Sequence, residues 1–330
     1  MKAIVQDTYG SSEVLELRDI ETPRPGTGEV LIAVRAAALD AGVWHLMSGK
    51  PYLLRLLGYG LRAPSVPVRG REVSGRVEAV GEGVSAFRTG DEVFGICEGS
   101  FAQYATARQD KLAHKPAGMP LEEAAALPIS GLTALQALRD AGRVRPGQRV
   151  LVIGAAGGVG TFAVQLAKAY GAHVTGVCST TKTELVRGLG ADEVIDYTRE
   201  EFADGVRRYD LILDIAGNRA LSHLRRALTP RGTLVIVGGE GGGPWLGGMG
   251  RVLWAALLNP FVRHGLKGFI SAERQADLEV LGRHVEDGTL SPAVHLTCRL
   301  AEAPDAIDRL HRGEARGKIL ITPDEVDDLP

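Results

Sequence analysis

The sequence contains little cysteine for its length. Its 330 residues include 3 cysteines, Cys97, Cys178 and Cys298, which are odd in number, widely spaced and without a CxxC pair. This pattern argues against a disulfide framework and against a zinc-ribbon site. We therefore expect buried free thiols.

A strong charge bias and long hydrophobic runs are also missing. Charged residues make up 24% of the chain, hydrophobic residues 45%, and the net charge is -2, which argues against nucleic acid as the main ligand. No stretch approaches the roughly 18 apolar residues of a membrane span, and the start MKAIVQDTYG lacks the apolar core of a signal peptide. We expect a cytoplasmic globular protein without membrane insertion.

The chain is long enough for two domains, and its pattern changes near residue 122. Before that point, short β-branched runs are broken by glycine and proline, which predicts a β-rich domain. After it, apolar strands such as RVLVI, HVTGVC, YDLILD and GTLVIV alternate with helical patterns. This alternation predicts an α/β domain with a doubly wound parallel sheet covered on both faces.

The glycine-rich stretch GAAGGVG at 154–160 lies between a strand pattern and a helix pattern. A phosphate-binding P-loop would continue with Lys-Ser or Lys-Thr, whereas this loop continues with Thr-Phe. The alternative is a dinucleotide loop in which alanine takes the place of the first glycine. A purely structural turn is the competing interpretation. The residues predicted to hold a pyrophosphate are Ala155, Gly157, Gly158, Val159 and Gly160.

The strand after this loop indicates which dinucleotide binds. An NAD site usually ends that strand with an acid that accepts hydrogen bonds from the ribose hydroxyls, but no acid occurs from His173 to Lys182. Instead, Ser179, two threonines and Lys182 offer donors and a cation that suit a 2'-phosphate. The sequence therefore favours NADPH, with a solvated helix residue as the alternative for Lys182.

Several motifs together resemble the medium-chain dehydrogenase/reductase superfamily. They are MKAIVQDTYG, GREVSGRVEAVGEGVSAFRTGDEVFG at 70–95, GLTALQAL at 131–138, AAGGVG at 155–160 and LGADEVIDY at 189–197. The resemblance implies a partly open, GroES-like β-barrel domain at 1–121 and 272–330, and a Rossmann domain at 122–271. It also implies a cofactor cleft between the two domains.

Zinc-dependent members of that superfamily have a Cys, a His-Glu pair and a second Cys at their metal site. The matching positions here are Asp40, then Arg71 followed by Glu72, then the cysteine-free PISGLTA. Zinc prefers thiolate and imidazole ligands, so we expect no metal. The chain resembles the zinc-free, quinone oxidoreductase-like branch.

In that branch a Ser, a Lys and a Tyr surround the adenosine 2'-phosphate, which implies this role for Ser179, Lys182 and Tyr197. A tyrosine that packs against the adenine is the alternative for Tyr197. The resemblance further implies that the ribose and nicotinamide are lined by Thr133, Gly217, Val237, Gly238, Phe269 and Ile270.

Without a metal, no strong Lewis acid polarises an alcohol or ketone oxygen. We therefore expect conjugate reduction, in which NADPH gives hydride to an enone or a quinone and a proton follows from solvent or a hydroxyl. The resemblance places the segment DAGVWHLMSGKPY beside the cleft, which makes Asp40 and Tyr52 the candidate catalytic residues. Tyr52 could instead form a pocket wall, and His45 is more simply structural. A metal-free alcohol dehydrogenase and a non-catalytic NADPH-binding sensor stay open as alternatives.

The segment at 245–269 is unusually apolar. It is interpreted either as a roof over the substrate or as a subunit contact, and we expect a homodimer. Arg251 and Arg263 interrupt its apolar pattern and disfavour a role at a membrane surface.

Overall fold

The computed structural model describes residues 1–239 and 242–323. Contacts divide the chain into two units: Met1–Ile129, Glu273–Gly288 and the part from Val294 onward form the first, and Ser130–Ala272 with Thr289–Ala293 form the second. The first boundary lies eight residues after the predicted one at 121/122, because Ala125 and Ala126 pack against Ala36 and Ala38 of the first unit.

The strands and α-helices are numbered in chain order. Up to residue 169 they are β1 (Lys2–Val5), β2 (Glu16–Asp19), β3 (Glu29–Ala38), α1 (Ala41–Ser48), β4 (Glu72–Val80), β5 (Glu92–Ile96), β6 (Tyr104–Arg108), β7 (Leu112–His114), α2 (Leu121–Ala124), α3 (Pro128–Gln136), β8 (Arg149–Ile153) and α4 (Gly158–Ala169). The rest are β9 (His173–Cys178), α5 (Thr183–Gly188), β10 (Glu193–Asp196), β11 (Tyr209–Asp214), α6 (Leu221–Arg226), β12 (Leu228–Ile236), α7 (Met249–Leu258), β13 (Gly265–Gly268), α8 (Gln275–Glu286), β14 (Val294–Arg299), α9 (Ala303–His311) and β15 (Lys318–Thr322). Short 3-10 or π-helical turns occur at Ser12–Val14, Arg55–Tyr59, Gln109–Lys111, Ala137–Gly142, Thr180–Lys182, Asn259–Phe261 and Leu300–Glu302.

The second unit contains the predicted doubly wound sheet. Over the described residues its strand order is β10-β9-β8-β11-β12-β13, and every neighbouring pair is parallel. The order reverses beside β8, the strand that leads into the glycine loop. Its strands are apolar along nearly their whole length because helices cover both faces.

The first unit is built around β3. This strand pairs with β4, with β6 along Glu29–Ala33, and with β15 at Ala37 and Ala38, so its two ends have different neighbours. Such a change of partner along one strand is the arrangement expected of a partly open barrel. Since β15 pairs with β3, the end of the described chain rejoins the first unit, as the resemblance implied.

Helix α1 follows β3 and begins at a residue of the candidate site. Asp40 is its N-cap, with the carboxylate accepting a hydrogen bond from the Gly42 N–H at 2.6 Å, and Gly49 ends it in the left-handed conformation. The helix buries Val43 and Met47 in a core shared with α9. The ring of Trp44 stacks on His311 at a centroid distance of 3.5 Å.

The cysteines are free thiols. Cys97 and Cys178 are buried, whereas Cys298 is only partly buried, so the prediction of buried thiols is wrong for that residue. Burial raises the pKa of Cys97 to about 12 and that of Cys178 to about 11. Among the described helices, none has both the length and the hydropathy that a membrane crossing requires.

Candidate functional site

The predicted cofactor residues of the second unit gather at one edge of its sheet. The glycine loop follows β8, Ser179 and Lys182 follow β9, Tyr197 follows β10, and Gly217 follows β11. Val237 and Gly238 follow β12, and Phe269 and Ile270 follow β13. In an open parallel sheet, the crevice at the carboxyl ends of the strands is where ligands bind. The role of these residues of the second unit as cofactor ligands stays a prediction.

The glycine loop has the geometry of an anion cradle. Gly157 caps α4 without a side-chain hydrogen bond, and the first N–H groups of a helix have no partner within it. A Cβ at Gly160 would lie 2.1 Å from the carbonyl oxygen of Gly154, so only glycine allows α4 to lie this close to β8. The loop therefore fits a pyrophosphate, whose charge the helix N-terminus favours.

One assignment within the loop was wrong. Sequence reasoning gave the tight-turn position to Ala155, but the residue with left-handed backbone is Gly154, at φ 88°. Ala155 is fully buried. The N–H groups of Gly154 and Ala155 both donate to the carbonyl oxygen of Val177. The glycine pattern itself could have indicated this, because only Gly154 directly follows the strand.

An acid that sequence reasoning missed lies beside the predicted 2'-phosphate residues. Asp196 ends β10, and its register partner in β9 is Cys178, the residue before Ser179. The Thr180 hydroxyl donates to Asp196 at 2.5 Å and lowers the pKa of this carboxyl group. Thr198 donates to its other oxygen from both its N–H, at 3.0 Å, and its hydroxyl, at 2.7 Å. The carboxylate is therefore held by protein donors.

The ends of β11 and β12 meet closely. Gly217 has φ 66°, its N–H donates to Asp214, and a Cβ on it would lie 2.7 Å from the Gly238 carbonyl oxygen. Asp214 is fully buried and accepts a hydrogen bond from Arg251 of α7 at 2.5 Å. A cavity of about 300 Å³ beside Gly217 is lined by Arg251 and Trp254.

Thr133 and the segment after β13 also come together. The Thr133 hydroxyl donates to the Ser271 hydroxyl at 3.2 Å, and Gln136 exchanges hydrogen bonds with the backbone of Ala272. Phe269 is half-buried, whereas Ile270 is 86% exposed.

In the first unit, Asp40 lies among buried charges. One oxygen caps α1, and the other, Oδ2, is buried without a hydrogen-bond partner among the described residues. Glu72 is fully buried, pairs with the equally buried Lys318 and accepts a hydrogen bond from the Ile129 N–H at 2.9 Å. Burial raises the pKa of Glu72, and the charge of Asp40 adds to this rise.

These residues do not fit a zinc ion. Arg71 occupies the position where zinc-dependent members have histidine, and its guanidinium donates to Glu273 at 2.5 Å. Although burial acts in the opposite direction, the Glu273 carboxylate raises the pKa of Arg71, which keeps a permanent cation beside Asp40. Among the residues in 1–239 and 242–323, no group of three or more His, Cys, Asp or Glu side chains could hold a metal.

Two further residues of the sequence analysis are His45, within α1, and Tyr52, which follows it. The ring of Tyr52 contacts Arg55, whose guanidinium carbon is 4.9 Å from the ring centroid and 4.2 Å from that of Tyr9. His45 Nδ1 is 2.9 Å from the Lys50 carbonyl oxygen, which agrees with a structural role.

The apolar segment 245–269 contains α7 and β13. Ala255 and Val252 face the core, whereas Leu253, Trp254 and Leu257 of α7 are more than half exposed. The segment thus presents an uncovered apolar face.

Comparison with known proteins identifies the family. A model of the alcohol dehydrogenase GroES-like domain matches residues 26–117, and a zinc-binding dehydrogenase model matches residues 189–321. A mitochondrial NAD(P)H oxidoreductase, RTN4IP1 of Mus musculus, is 33% identical over 97% of this chain and 89% of its own length. A chloroplast envelope quinone oxidoreductase homolog of Arabidopsis thaliana is 30% identical over 98% of both.

The chain belongs to the quinone oxidoreductase-like branch of the medium-chain dehydrogenase/reductase superfamily. A solved quinone oxidoreductase from Coxiella burnetii superposes with a TM-score of 0.85 at 30% identity, over 98% of this chain and 99% of that one. A mycobacterial protein solved with NADPH gives a TM-score of 0.83 at 27% identity, over 98% of this chain and all of the other. Members of this superfamily are oxidoreductases, and the predicted fold class is confirmed.

Proposed function

We propose that this oxidoreductase transfers hydride from NADPH to a quinone or an α,β-unsaturated carbonyl compound. The second unit binds the cofactor, and the first unit binds the acceptor. The observation that carries the proposal is the carboxyl edge of the parallel sheet, where a glycine cradle, Ser179 and Lys182 follow adjacent strands.

The choice of NADPH follows from charge. Lys182 and the Ser179 hydroxyl suit a 2'-phosphate, and the nearby Asp196 already accepts hydrogen bonds from Thr180 and Thr198. Arg199, 3.5 Å from Asp196, further offsets its charge. The similarity to a mycobacterial protein solved with NADPH supports this choice.

The choice of acceptor follows from the donor set of the first unit. NADPH supplies the hydride when it is bound. Because Arg71 and its partner Glu273 do not fit zinc, the protein is proposed to act on acceptors that need no metal to polarise them. Asp40, with its unpartnered oxygen, and Tyr52 are proposed to contact the acceptor, with the Tyr52 hydroxyl donating a proton to its oxygen. The similarity to quinone oxidoreductases supports this assignment.

The test is oxidation of NADPH, followed at 340 nm, by EDTA-treated protein with quinones, enones and simple ketones, and with NADH in parallel. We expect turnover of quinones or enones and a preference for NADPH. Turnover of simple ketones alone would instead support a metal-free alcohol dehydrogenase. Tight NADPH binding without turnover of any acceptor would support a sensor.

We also propose a homodimer, because Leu253, Trp254 and Leu257 expose apolar side chains on the same helix, α7. The cytoplasmic location expected from the sequence stays a prediction.

A further inference from the structure

Arg69 is a buried cation whose guanidinium has no hydrogen-bonded partner among the described residues. The residue is 5% exposed, although arginine is almost never this buried unless it is paired. Its Nε atom is buried and unpartnered, and within 1–239 and 242–323 its guanidinium makes no hydrogen bond or ion pair. Such a group normally acquires an anionic partner.

The backbone fixes this side chain in place. The Arg69 N–H donates to the Ile4 carbonyl oxygen at 3.1 Å, and the Arg69 carbonyl oxygen accepts from the Phe101 N–H at 2.8 Å. The next residue, Gly70, has φ 91°, and a Cβ there would lie 2.4 Å from both Phe101 and the Ser100 hydroxyl. Arg69 is therefore held between β1 and the chain after β5.

Arg69 lines a pocket that lies wholly within the first unit. The pocket measures about 30 Å³, and its apolar wall includes Val43 and Leu46 of α1 and Val66. Arg71, which interacts with Asp40, lines it as well, so the pocket adjoins the proposed acceptor site. A water molecule needs about 10–15 Å³, so the volume holds about two water-sized groups.

Within the described residues, the charges around the pocket offset the charge of Arg69 only in part. Arg71 is neutralised by Glu273 at 2.5 Å. Tyr9 donates its hydroxyl to the carbonyl oxygens of Tyr59 and Gly60. Glu98 lines the pocket, and its charge, like that of Tyr9, raises the pKa of Arg69 against the larger effect of burial. It is exposed, however, and within the described chain it makes no ion pair with Arg69. Burial lowers the pKa of Arg69 to about 10, which still leaves it charged at neutral pH.

We propose that Arg69 binds a carboxylate group carried by the acceptor, so that the preferred substrates are anionic quinones or enones. This inference rests on the proposed function and names its substrate class. A guanidinium matches the two oxygens of a carboxylate in a planar, paired geometry.

The kinetic test compares two acceptors that differ only in charge: a 1,4-benzoquinone with a propionate side chain, and its methyl ester. We expect kcat/KM to favour the acid in the wild type. In Arg69→Met the ratio of acid to ester should fall roughly 10- to 100-fold, as for loss of a hydrogen-bonded charge. Arg62→Met removes an exposed positive charge from the same loop and should leave the ratio unchanged. Glu98→Gln should raise it, since a like charge is removed from the pocket.

A binding measurement separates this inference from the proposed function. Ligand-observed NMR in a carboxylate-free buffer should show that isobutyrate binds the wild type and Arg62→Met but not Arg69→Met, and that isobutyramide binds none of them. If neither quinone is turned over but isobutyrate binding depends on Arg69, the proposed function fails and the carboxylate subsite stands. Equal binding of isobutyrate to the wild type and Arg69→Met, or an unchanged ratio of acid to ester, would overturn the subsite.

Thermal unfolding tests whether Arg69→Met acts by destabilising the fold instead of by removing a ligand contact. Because the Arg69 guanidinium makes no hydrogen bond or ion pair with the described residues, Arg69→Met should unfold at the wild-type temperature or above it. A clearly lower unfolding temperature would mean that Arg69 supports the fold, and this would contradict the inference.

Discussion

Glu72 and Lys318 are 246 positions apart in the chain, yet their side chains pair in the interior with no exposed surface. Local patterns could predict the glycine loop, Ser179 and Lys182, because each follows its own strand. They could not predict this ion pair, which needs β15 beside β3, or the contact between Thr180 and Asp196, which needs β10 beside β9. Burial of Arg69 also escaped prediction, since arginine is usually exposed.

The buried pair gives a stability prediction. Lys318→Met leaves the Glu72 carboxylate buried without this cation and should lower the free energy of unfolding by about 3–5 kcal/mol. The double variant Glu72→Gln/Lys318→Met should recover much of the loss, because it buries no charge. Urea unfolding of both variants and the wild type is the measurement. A double variant no more stable than the single one would contradict the pairing.

The same pair gives a pH prediction. Burial raises the pKa of Glu72 in the folded state above its ordinary value of 4.5, which applies to the unfolded state. At pH values between these two pKa values, the folded state therefore binds more protons than the unfolded state. The free energy of unfolding contributed by this group therefore falls as pH rises through that interval. Lys318 opposes the pKa rise, so Lys318→Met should steepen the loss of stability between pH 5 and pH 8. Urea unfolding at several pH values tests this, with the double variant as the control that lacks the titrating carboxyl.

A third residue-scale prediction concerns cofactor choice. Lys182→Ala should raise the Kd for NADPH roughly 10- to 100-fold and change that for NADH little, because it removes a charged partner of the 2'-phosphate. Arg187→Ala removes an exposed cation from the neighbouring helix and should affect neither cofactor. Fluorescence titration with both cofactors measures the effect. Equal weakening of NADPH and NADH would argue for the solvated-residue interpretation of Lys182.

At the scale of elements, the junction of β8 and α4 is a closely packed part of the candidate cofactor site. The alternation of strand and helix patterns predicted both elements, since buried parallel strands have continuous apolar runs. The exact turn residue was misplaced by one, because glycine and alanine are both small enough for the pattern and only the backbone conformation distinguishes them.

Gly160→Ala tests this junction. Its Cβ would meet the Gly154 carbonyl oxygen at 2.1 Å, so α4 must move away from β8. We expect a loss of about 1–3 kcal/mol in the free energy of unfolding together with much weaker NADPH binding. Gly188→Ala, at the end of α5 with nothing within 4 Å of the added Cβ, should be neutral or slightly stabilising. Differential scanning fluorimetry with and without NADPH compares the two variants.

At the scale of the whole molecule, two units share one chain and the first is assembled from separate segments. The change of pattern near residue 122 predicted two domains. The return of the chain to the first unit came from the family resemblance, because a periodic pattern does not specify which sheet a strand joins.

The proposed homodimer is tested by charging the exposed face of α7. Leu253 and Leu257 are 53% and 64% exposed, so Leu253→Glu/Leu257→Glu should cost little in folding while preventing an apolar contact. Sedimentation velocity should show a dimer in the wild type and a monomer in the variant. The matched control Leu56→Glu/Leu61→Glu, on an exposed loop of the first unit, should remain dimeric. A variant that still dimerises would contradict a subunit contact through α7. The alternative interpretation of 245–269, a roof over the substrate, would then remain.

The position of β15 has a consequence for synthesis of the protein. A ribosome completes the second unit, including β8 to β13, before it makes residues 318–322, while the first unit still lacks β15. Throughout this interval Ala37 and Ala38 have β4 as a neighbour but lack β15 on their other side, and Glu72 lacks its cation. The sheet of the first unit can therefore be completed only after residues 318–322 are made, and termination before residue 318 would leave β3 and Glu72 without these partners.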